Sequence, residues 1–204
     1  MTDVEERASL DQRFADILAD GEAFLGEDIL TAFLRTSDDT PFIDIDRVWH
    51  RGGLIEKLVD LLEDAFAEWN LEETAEYETI VAASSSIASY GSIPIAASLA
   101  ARLKKQLCVL SQAANGDYSL YPSTLSLRYL LDRKKVLILH DAIVYGNSVA
   151  RVAQFLTGMN AEVRALVVLL DQQPRGRDLP QVLQDVMLCT LTTGPGLAEL
   201  IKGG

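Results

Sequence analysis

The sequence has 204 residues, 49% apolar and 24% charged, which is the balance of one globular domain with a sizeable core. Its net charge of −12 repels nucleic acid and anionic membranes, so we expect neither as a general partner. No run approaches the roughly 18 consecutive apolar residues of a membrane span, and the N-terminus lacks the apolar core of a signal peptide, so we expect a cytoplasmic protein. Cys108 and Cys189 lie in apolar runs, which favours buried structural thiols over a redox or metal role.

The first third of the chain is predicted to be mainly helical. Apolar residues recur at helical spacing through residues 1–35 and indicate two short helices that break near Gly21 or Gly26. Residues 41–45 predict a short strand. Residues 54–69 predict a helix with its leucines on one face.

From residue 79 onward, strands and helices alternate. Residues 79–83 predict a strand, which is followed by a Ser/Gly loop over 84–92. A helix is predicted to begin near Pro94, because proline suits the first helical turn, and residues 107–110 predict the next strand. This strand–loop–helix–strand order is typical of a parallel unit.

The same order recurs further along the chain. Residues 136–139 are a continuous apolar run, typical of a strand covered on both faces, and a polar loop is predicted over 140–147. A helix from about Ser148 to Thr157 and a strand at 163–170 complete the unit. Two such units favour a doubly wound, mainly parallel α/β sheet. Ligands of such sheets bind at the carboxyl ends of the strands, and both predicted loops lie there.

The most informative segment is VLILHDAIVYGNSV, residues 136–149. An apolar strand ends in the pair His140-Asp141, and a tight loop with one glycine leads to a helix N-terminus. Backbone N–H groups and the positive end of a helix dipole form a phosphate site there without any basic side chain. Asp141 is a candidate ligand for ribose hydroxyls or for a hydrated Mg²⁺.

This segment resembles the phosphoribosyltransferase motif of an apolar strand, two acidic residues, a Thr/Gly-rich loop and a helix. Three further segments, in the same order along the chain, are similar to orotate phosphoribosyltransferases: TPFIDID at 40–46, GSIPIAASLA at 91–100 and GMNAEVRALVVLLDQQ at 158–173. The chain therefore resembles the type I phosphoribosyltransferase family, closest to the orotate enzymes. The resemblance implies one domain over 1–204, with N-terminal helices and a hood strand in 1–75, the core sheet in 76–192 and a C-terminal tail in 193–204.

The resemblance also implies roles for individual residues. The phosphate and ribose would contact His140, Asp141, Tyr145, Gly146, Asn147 and Ser148, with Asp141 also the catalytic residue and a metal ligand through water. Ser86, Gly91 and Ser92 would belong to the pyrophosphate loop, and Phe42 and Ile43 would line the base pocket. The implied ligands are phosphoribosyl pyrophosphate or a nucleotide, with Mg²⁺ if the protein is active. A homodimer is also implied, because the family shares its hood loop across a two-fold axis.

Several positions depart from the family's pattern. His140 stands where the first of two acidic residues is usual, Val144 where a phosphate-binding Thr is usual, and Asn147 where another Thr is usual. Tyr145 replaces a small residue. Segment 111–127 corresponds to the cationic segments that neutralise pyrophosphate in orotate enzymes, yet it contains no Lys or Arg.

The loss of these cations bears on catalysis, because electrostatic stabilisation is usually the largest catalytic contribution. Losing one good donor commonly lowers the rate by ~10²–10³. The nearest cations are Arg128 and the cluster at 133–135, and this cluster precedes its strand, at the wrong end for the site.

Three hypotheses follow. The first is a divergent orotate phosphoribosyltransferase-like protein that binds a phosphorylated ribose or nucleotide with weak or absent transferase activity. The second is an active Mg²⁺-dependent phosphoribosyltransferase, in the glycosyltransferase class, whose cations come from Arg128, Arg47 or a partner subunit. The third is a structural or interaction protein without a ligand. His140 itself has two interpretations, a titratable ligand contact or a neutral residue bonded to a neighbouring loop.

Overall fold

The structure, a computed structural model, describes residues 3–20, 53–83, 92–112, 118–121, 131–173 and 179–193. Side chains are described in these ranges except those of residues 3–9, 120 and 121. The predicted strand at 41–45 and the second helix predicted within 1–35 lie outside the described residues.

The described part of the chain contains five α-helices, six strands and one short 3₁₀ helix. In chain order they are α1 (Asp3–Asp20), α2 (Leu54–Glu68), α3 (Leu71–Ala75), β1 (Thr79–Ala83), α4 (Ile93–Arg102), β2 (Gln106–Gln112), β3 (Tyr118–Tyr121), β4 (Lys135–Ile143), α5 (Asn147–Gly158), β5 (Glu162–Asp171), the 3₁₀ helix (Gln181–Leu183) and β6 (Met187–Thr193). None of these helices is both long and apolar enough to cross a membrane.

The six strands form one sheet in the order β3-β2-β1-β4-β5-β6. Strand β3 runs antiparallel to β2, and every other neighbouring pair is parallel. The predicted apolar strand therefore lies at the centre of the sheet, because β4 pairs with β1 on one side and β5 on the other. Its residues 136–139 are fully buried.

Helices cover both faces of the sheet, which confirms the doubly wound arrangement. On one face, α1, α2, α3 and α4 pack on a core that includes Phe14, Leu58, Leu99 and Leu137. On the other face, α5 and the 3₁₀ helix pack on a second core that includes Ile138. Successive residues of β4 alternate between the two cores, as the period of a strand requires.

The predicted helix boundaries are close to the observed ones where the structure describes them. Helix α1 is described over Asp3–Asp20, and the predicted break points, Gly21 and Gly26, lie outside the described residues. Helix α2 buries seven of its residues, all of them apolar, and follows Gly53, whose φ of 86° suits glycine. Helix α4 begins at Ile93 with Pro94 in its first turn.

The polar loop predicted over residues 140–147 is wrong in its first half. Strand β4 continues through His140 and Asp141 to Ile143. Its pairing with β5 also continues, from His140 opposite Val168 to Ile143 opposite Asp171. The backbone makes these ladder bonds whatever the side chains are, so a polar pair does not end the strand. Only residues 144–146 separate β4 from α5.

Candidate functional site

The candidate site lies at the carboxyl edge of the sheet, where β4, β5 and β6 end together. Their last residues, Ile143, Asp171 and Thr193, are register partners across the three strands. Below this edge, residues 136–139 of β4 and 165–170 of β5 are buried and apolar, so they form a rigid base. Above it, the short link at 144–146 turns the chain directly into α5.

Gly146 makes this turn possible. Its φ of 72° lies in the left-handed region, which costs a residue with a Cβ roughly 1–2 kcal/mol. A Cβ at this position would also lie 2.9 Å from Cδ of Pro180, closer than real Cβ contacts come. The carbonyl of Gly146 accepts the first helical hydrogen bond, from the amide of Ala150 at 2.8 Å. Glycine is therefore required here by both conformation and space.

The N-terminus of α5 presents backbone N–H groups at the site. The amides of Asn147, Ser148 and Val149 come before the first intrahelical bond, and the N-cap residue, Gly146, supplies no side-chain hydrogen bond to them. The first turn carries no acidic residue that would compete with an anion. Asn147 and Tyr145 are exposed beside it. Amides and dipole together make this end of α5 suitable for a phosphate.

His140 and Asp141 lie near the end of β4, a few residues before α5, and are largely buried. Their side chains are 2% and 16% exposed, and Nδ1 of His140 lies 2.8 Å from Oδ1 of Asp141. The ring N–H does not point along this line, and neither ring nitrogen has a hydrogen-bond partner among the described residues. The same Oδ1 accepts a hydrogen bond from the amide of Ala142 at 2.8 Å.

The surroundings of Asp141 keep it ionised. Burial raises the pKa of its carboxyl group, but the nearby His140 ring and the N–H groups of Ala142 and Asp141 lower it more. The net result is a pKa below the ordinary value. The pair therefore combines a carboxylate with a basic ring, where two carboxylates would carry twice the negative charge.

These residues do not fit a magnesium site. Mg²⁺ prefers an octahedral set of oxygen ligands and is commonly bound by one or two carboxylates together with ligand phosphates. Here Asp141 has an oxygen already in contact with His140 and Ala142. Oδ1 of Asp171, at the end of β5, accepts a hydrogen bond from the amide of Gln173 at 2.9 Å. Within the described ranges, no three His, Cys, Asp or Glu side chains come together as metal ligands.

Comparisons with known proteins agree on the fold. No family model and no curated protein matches the sequence. Orotate phosphoribosyltransferase from Aeropyrum pernix is 20% identical with a TM-score of 0.64, covering 93% of this chain and 99% of that one. The orotate enzyme from Francisella tularensis is 17% identical with a TM-score of 0.60, covering 94% and 90%. Adenine phosphoribosyltransferase from Trypanosoma brucei, in complex with AMP, pyrophosphate and ribose-5-phosphate, is 14% identical with a TM-score of 0.58, covering 92% and 80%.

The chain has the type I phosphoribosyltransferase fold. The site described above is the strand, loop and helix through which the sequence resembles that family. The structure brings together His140, Asp141, Gly146, Asn147 and Ser148 at one end of the sheet.

The other predicted site residues are placed differently. Ser92 is 1% exposed and directly precedes α4, and its hydroxyl donates to the carbonyl of Ala83 at 3.4 Å. In this phosphoribosyltransferase fold the Ser92 side chain thus closes the link between β1 and α4, and its role toward pyrophosphate stays a prediction. Ser86, Gly91, Phe42 and Ile43 lie outside the described residues.

Most described cations in this phosphoribosyltransferase fold are paired away from the site. Lys134 pairs with Glu78 at 2.7 Å and Lys135 pairs with Glu76, at the amino ends of the strands. The cationic cluster that precedes β4 therefore lies at the far end of the sheet, as predicted. Other basic residues pair on the outer helices, for example Arg102 with Glu63 at 3.0 Å.

Two residues near the site were not predicted from the sequence. Pro180, whose ring contacts the position of Gly146, is distant in the sequence, and no local pattern identifies it. Arg151 is exposed one helical turn after Asn147 and has no carboxylate partner in the part of the chain that is described. Its spacing of four residues from Asn147 is a signal that could have placed it near the phosphate loop. Arg151 also lies near Tyr118. Burial raises the pKa of the Tyr118 phenol, and the nearby charge of Arg151 lowers it in part.

Proposed function

We propose that this chain binds the phosphate of a phosphorylated ribose or nucleotide at the N-terminus of α5, and that it transfers phosphoribose slowly or not at all. The observation that carries the proposal is the first turn of α5, whose amides precede the first intrahelical hydrogen bond and follow Gly146 at the carboxyl edge of a phosphoribosyltransferase fold. The Trypanosoma brucei enzyme of the same fold was solved with AMP, pyrophosphate and ribose-5-phosphate. We infer a ligand of this class for the present chain.

The proposed binding mode follows from the donors at the helix end. The amides of Asn147, Ser148 and Val149 would donate to the phosphate oxygens, and the exposed Asn147 side chain would add a further donor. Asp141 would accept a hydrogen bond from a ribose hydroxyl. Tyr145, which is 48% exposed, would lie at the rim of the ligand.

Weak transfer is supported by the charges available for the leaving group. Pyrophosphate needs donors aimed at it in the transition state, and these normally provide the largest catalytic effect. Segment 111–127 contains no Lys or Arg, and Lys134 and Lys135 are paired at the opposite end of the sheet. Arg151, which is exposed one helical turn after Asn147, is a described cation on the same helix as the proposed phosphate contacts.

Binding and transfer are tested separately. Ribose 5-phosphate, AMP, orotidylate and phosphoribosyl pyrophosphate should raise the melting temperature, because a ligand that binds the folded state stabilises it by mass action. Orotate or adenine supplied with phosphoribosyl pyrophosphate and Mg²⁺ should yield little nucleotide. No stabilisation by any of these ligands would refute the binding site, whereas turnover at ordinary enzyme rates would refute weak catalysis.

We also propose that the protein is a cytoplasmic homodimer. The resemblance to the orotate enzymes supports both assignments. Sedimentation velocity tests the dimer, and fractionation of the source cells tests the location.

A further inference from the structure

Two described carboxylates at the carboxyl edge of the sheet, those of Asp141 and Asp171, are already engaged by the protein's own groups. Oδ1 of Asp141 accepts a hydrogen bond from the amide of Ala142 at 2.8 Å, and Nδ1 of His140 lies 2.8 Å from the same oxygen. One oxygen of Asp171 receives the amide of Gln173 at 2.9 Å. Neither carboxylate therefore offers both of its oxygens to a cation.

The charge of the site also disfavours a divalent cation. His140 stands beside the only carboxylate in the strand that leads to the helix, so the pair carries at most one negative charge. The affinity of an oxygen site for a divalent cation depends on how many charged ligands it contains. The N-terminus of α5, a few residues further on, carries partial positive charge that repels a cation and attracts a phosphate.

We infer that this site holds a ribose phosphate without a divalent cation, and that His140 is the residue responsible. The inference rests on the proposed function and adds to it the ionic form of the ligand, a free phosphomonoester dianion. The α5 amides neutralise that charge directly. A metal bridge from Asp141 or Asp171 to the ligand has no part in binding.

Calorimetric titration with ribose 5-phosphate, a poor chelator of Mg²⁺, tests the inference directly. The affinity should be the same within about twofold in EDTA and in millimolar Mg²⁺, because a tenfold difference would require about 1.4 kcal/mol of metal-dependent binding. Binding at least tenfold tighter with Mg²⁺ would overturn the inference and leave the proposed function standing. An absence of binding in both buffers would overturn both.

Variants at His140 test the residue itself. His140→Asp introduces a second carboxylate, so its binding of ribose 5-phosphate should weaken at least tenfold in EDTA and recover when Mg²⁺ is added. His140→Asn removes the ring without adding charge, and its binding should stay independent of Mg²⁺. If His140→Asp binds equally well with and without the metal, the role of His140 is wrong. Thermal melts verify that both variants are folded.

Paramagnetic Mn²⁺ tests whether a divalent cation binds through Asp141, even if His140→Asp does not fold. Mn²⁺ bound through Asp141 would broaden the NMR signals of the Ala142 and Gly146 amides selectively. We expect equal broadening in the wild-type protein and in Asp141→Asn, with ribose 5-phosphate present or absent. Broadening of these two signals that Asp141→Asn abolishes would overturn the inference without bearing on the phosphate contacts.

Discussion

Replacing Gly146 with alanine tests the turn on which the proposed phosphate site depends. Alanine at a φ of 72° costs roughly 1–2 kcal/mol. Its Cβ would also lie 2.9 Å from Cδ of Pro180, and overpacking of this kind typically adds about 1–3 kcal/mol. The free energy of unfolding should therefore fall by about 2–5 kcal/mol. For a domain of this size, that lowers the melting temperature by roughly 4–20 °C.

Two other glycines separate the contributions. Gly53 also has a positive φ, 86°, but its added Cβ would meet only Oε2 of Glu56 at 3.9 Å, so Gly53→Ala should show the conformational cost alone. Gly158 has neither a positive φ nor any atom within 4 Å of the added Cβ. Because alanine is favoured over glycine in a helix by up to about 1 kcal/mol, Gly158→Ala should be neutral or stabilising.

The assay is chemical denaturation of the three variants, together with titration of ribose 5-phosphate. Gly146→Ala should be the least stable, and its binding should weaken at least tenfold because the α5 amides are displaced. Gly53→Ala should bind normally. If Gly146→Ala were no less stable than Gly53→Ala, the contact with Pro180 would contribute nothing. If it also bound ribose 5-phosphate normally, the phosphate would lie elsewhere.

Three further predictions concern charge and burial. The pKa of Asp141 is lowered in the folded state, since its contacts outweigh the effect of burial, so its contribution to stability is present above the ordinary carboxyl pKa of about 3.9. It is lost as the pH falls through the lower folded value, so Asp141→Asn should lose less stability than the wild-type protein between neutral pH and about pH 3 in denaturation experiments. Burial raises the pKa of Cys108 to about 12 and of Cys189 to about 11, so both thiols should react slowly with iodoacetamide until denaturant is added, and rapid labelling of the native protein would contradict this. Lys134→Ala and Lys135→Ala should leave ribose 5-phosphate binding unchanged in calorimetry, because both side chains pair at the amino ends of the strands.

The centre of the fold was predictable because it depends on short-range patterns. The apolar run at 136–139 identified the central strand, and a glycine followed by Asn147 and Ser148 identified the helix that it feeds. The extension of β4 to Ile143 was not predicted, because two polar side chains were interpreted as the start of a loop. Whether a strand continues depends on its backbone partners, here β5, and the sequence of β4 alone does not contain them.

Strand β6 and the contact beside the turn were missed for related reasons. Strand β6 lies at the edge of the sheet, and its first residues, Met187 and Leu188, are exposed, so it lacks the continuous burial that marks β4. The packing of Pro180 against Gly146 joins segments far apart in the sequence. A glycine in a loop indicates that a Cβ would be strained or would clash there, but only the fold shows which neighbouring atom it would meet.

The arrangement of charge explains how a protein with a net charge of −12 can hold an anion. Lys134 and Lys135 are paired with carboxylates at the amino ends of the strands, so these cations do not contribute to the site. At the carboxyl ends, the positive partial charge comes from the amides of α5, which are fixed by the backbone and need no side-chain ordering. Such a source acts over about one helical turn, enough for one phosphate group. A pyrophosphate, which extends away from that turn, needs donors on a second element. The same arrangement of donors therefore supports binding of a ribose monophosphate and weak transfer from phosphoribosyl pyrophosphate.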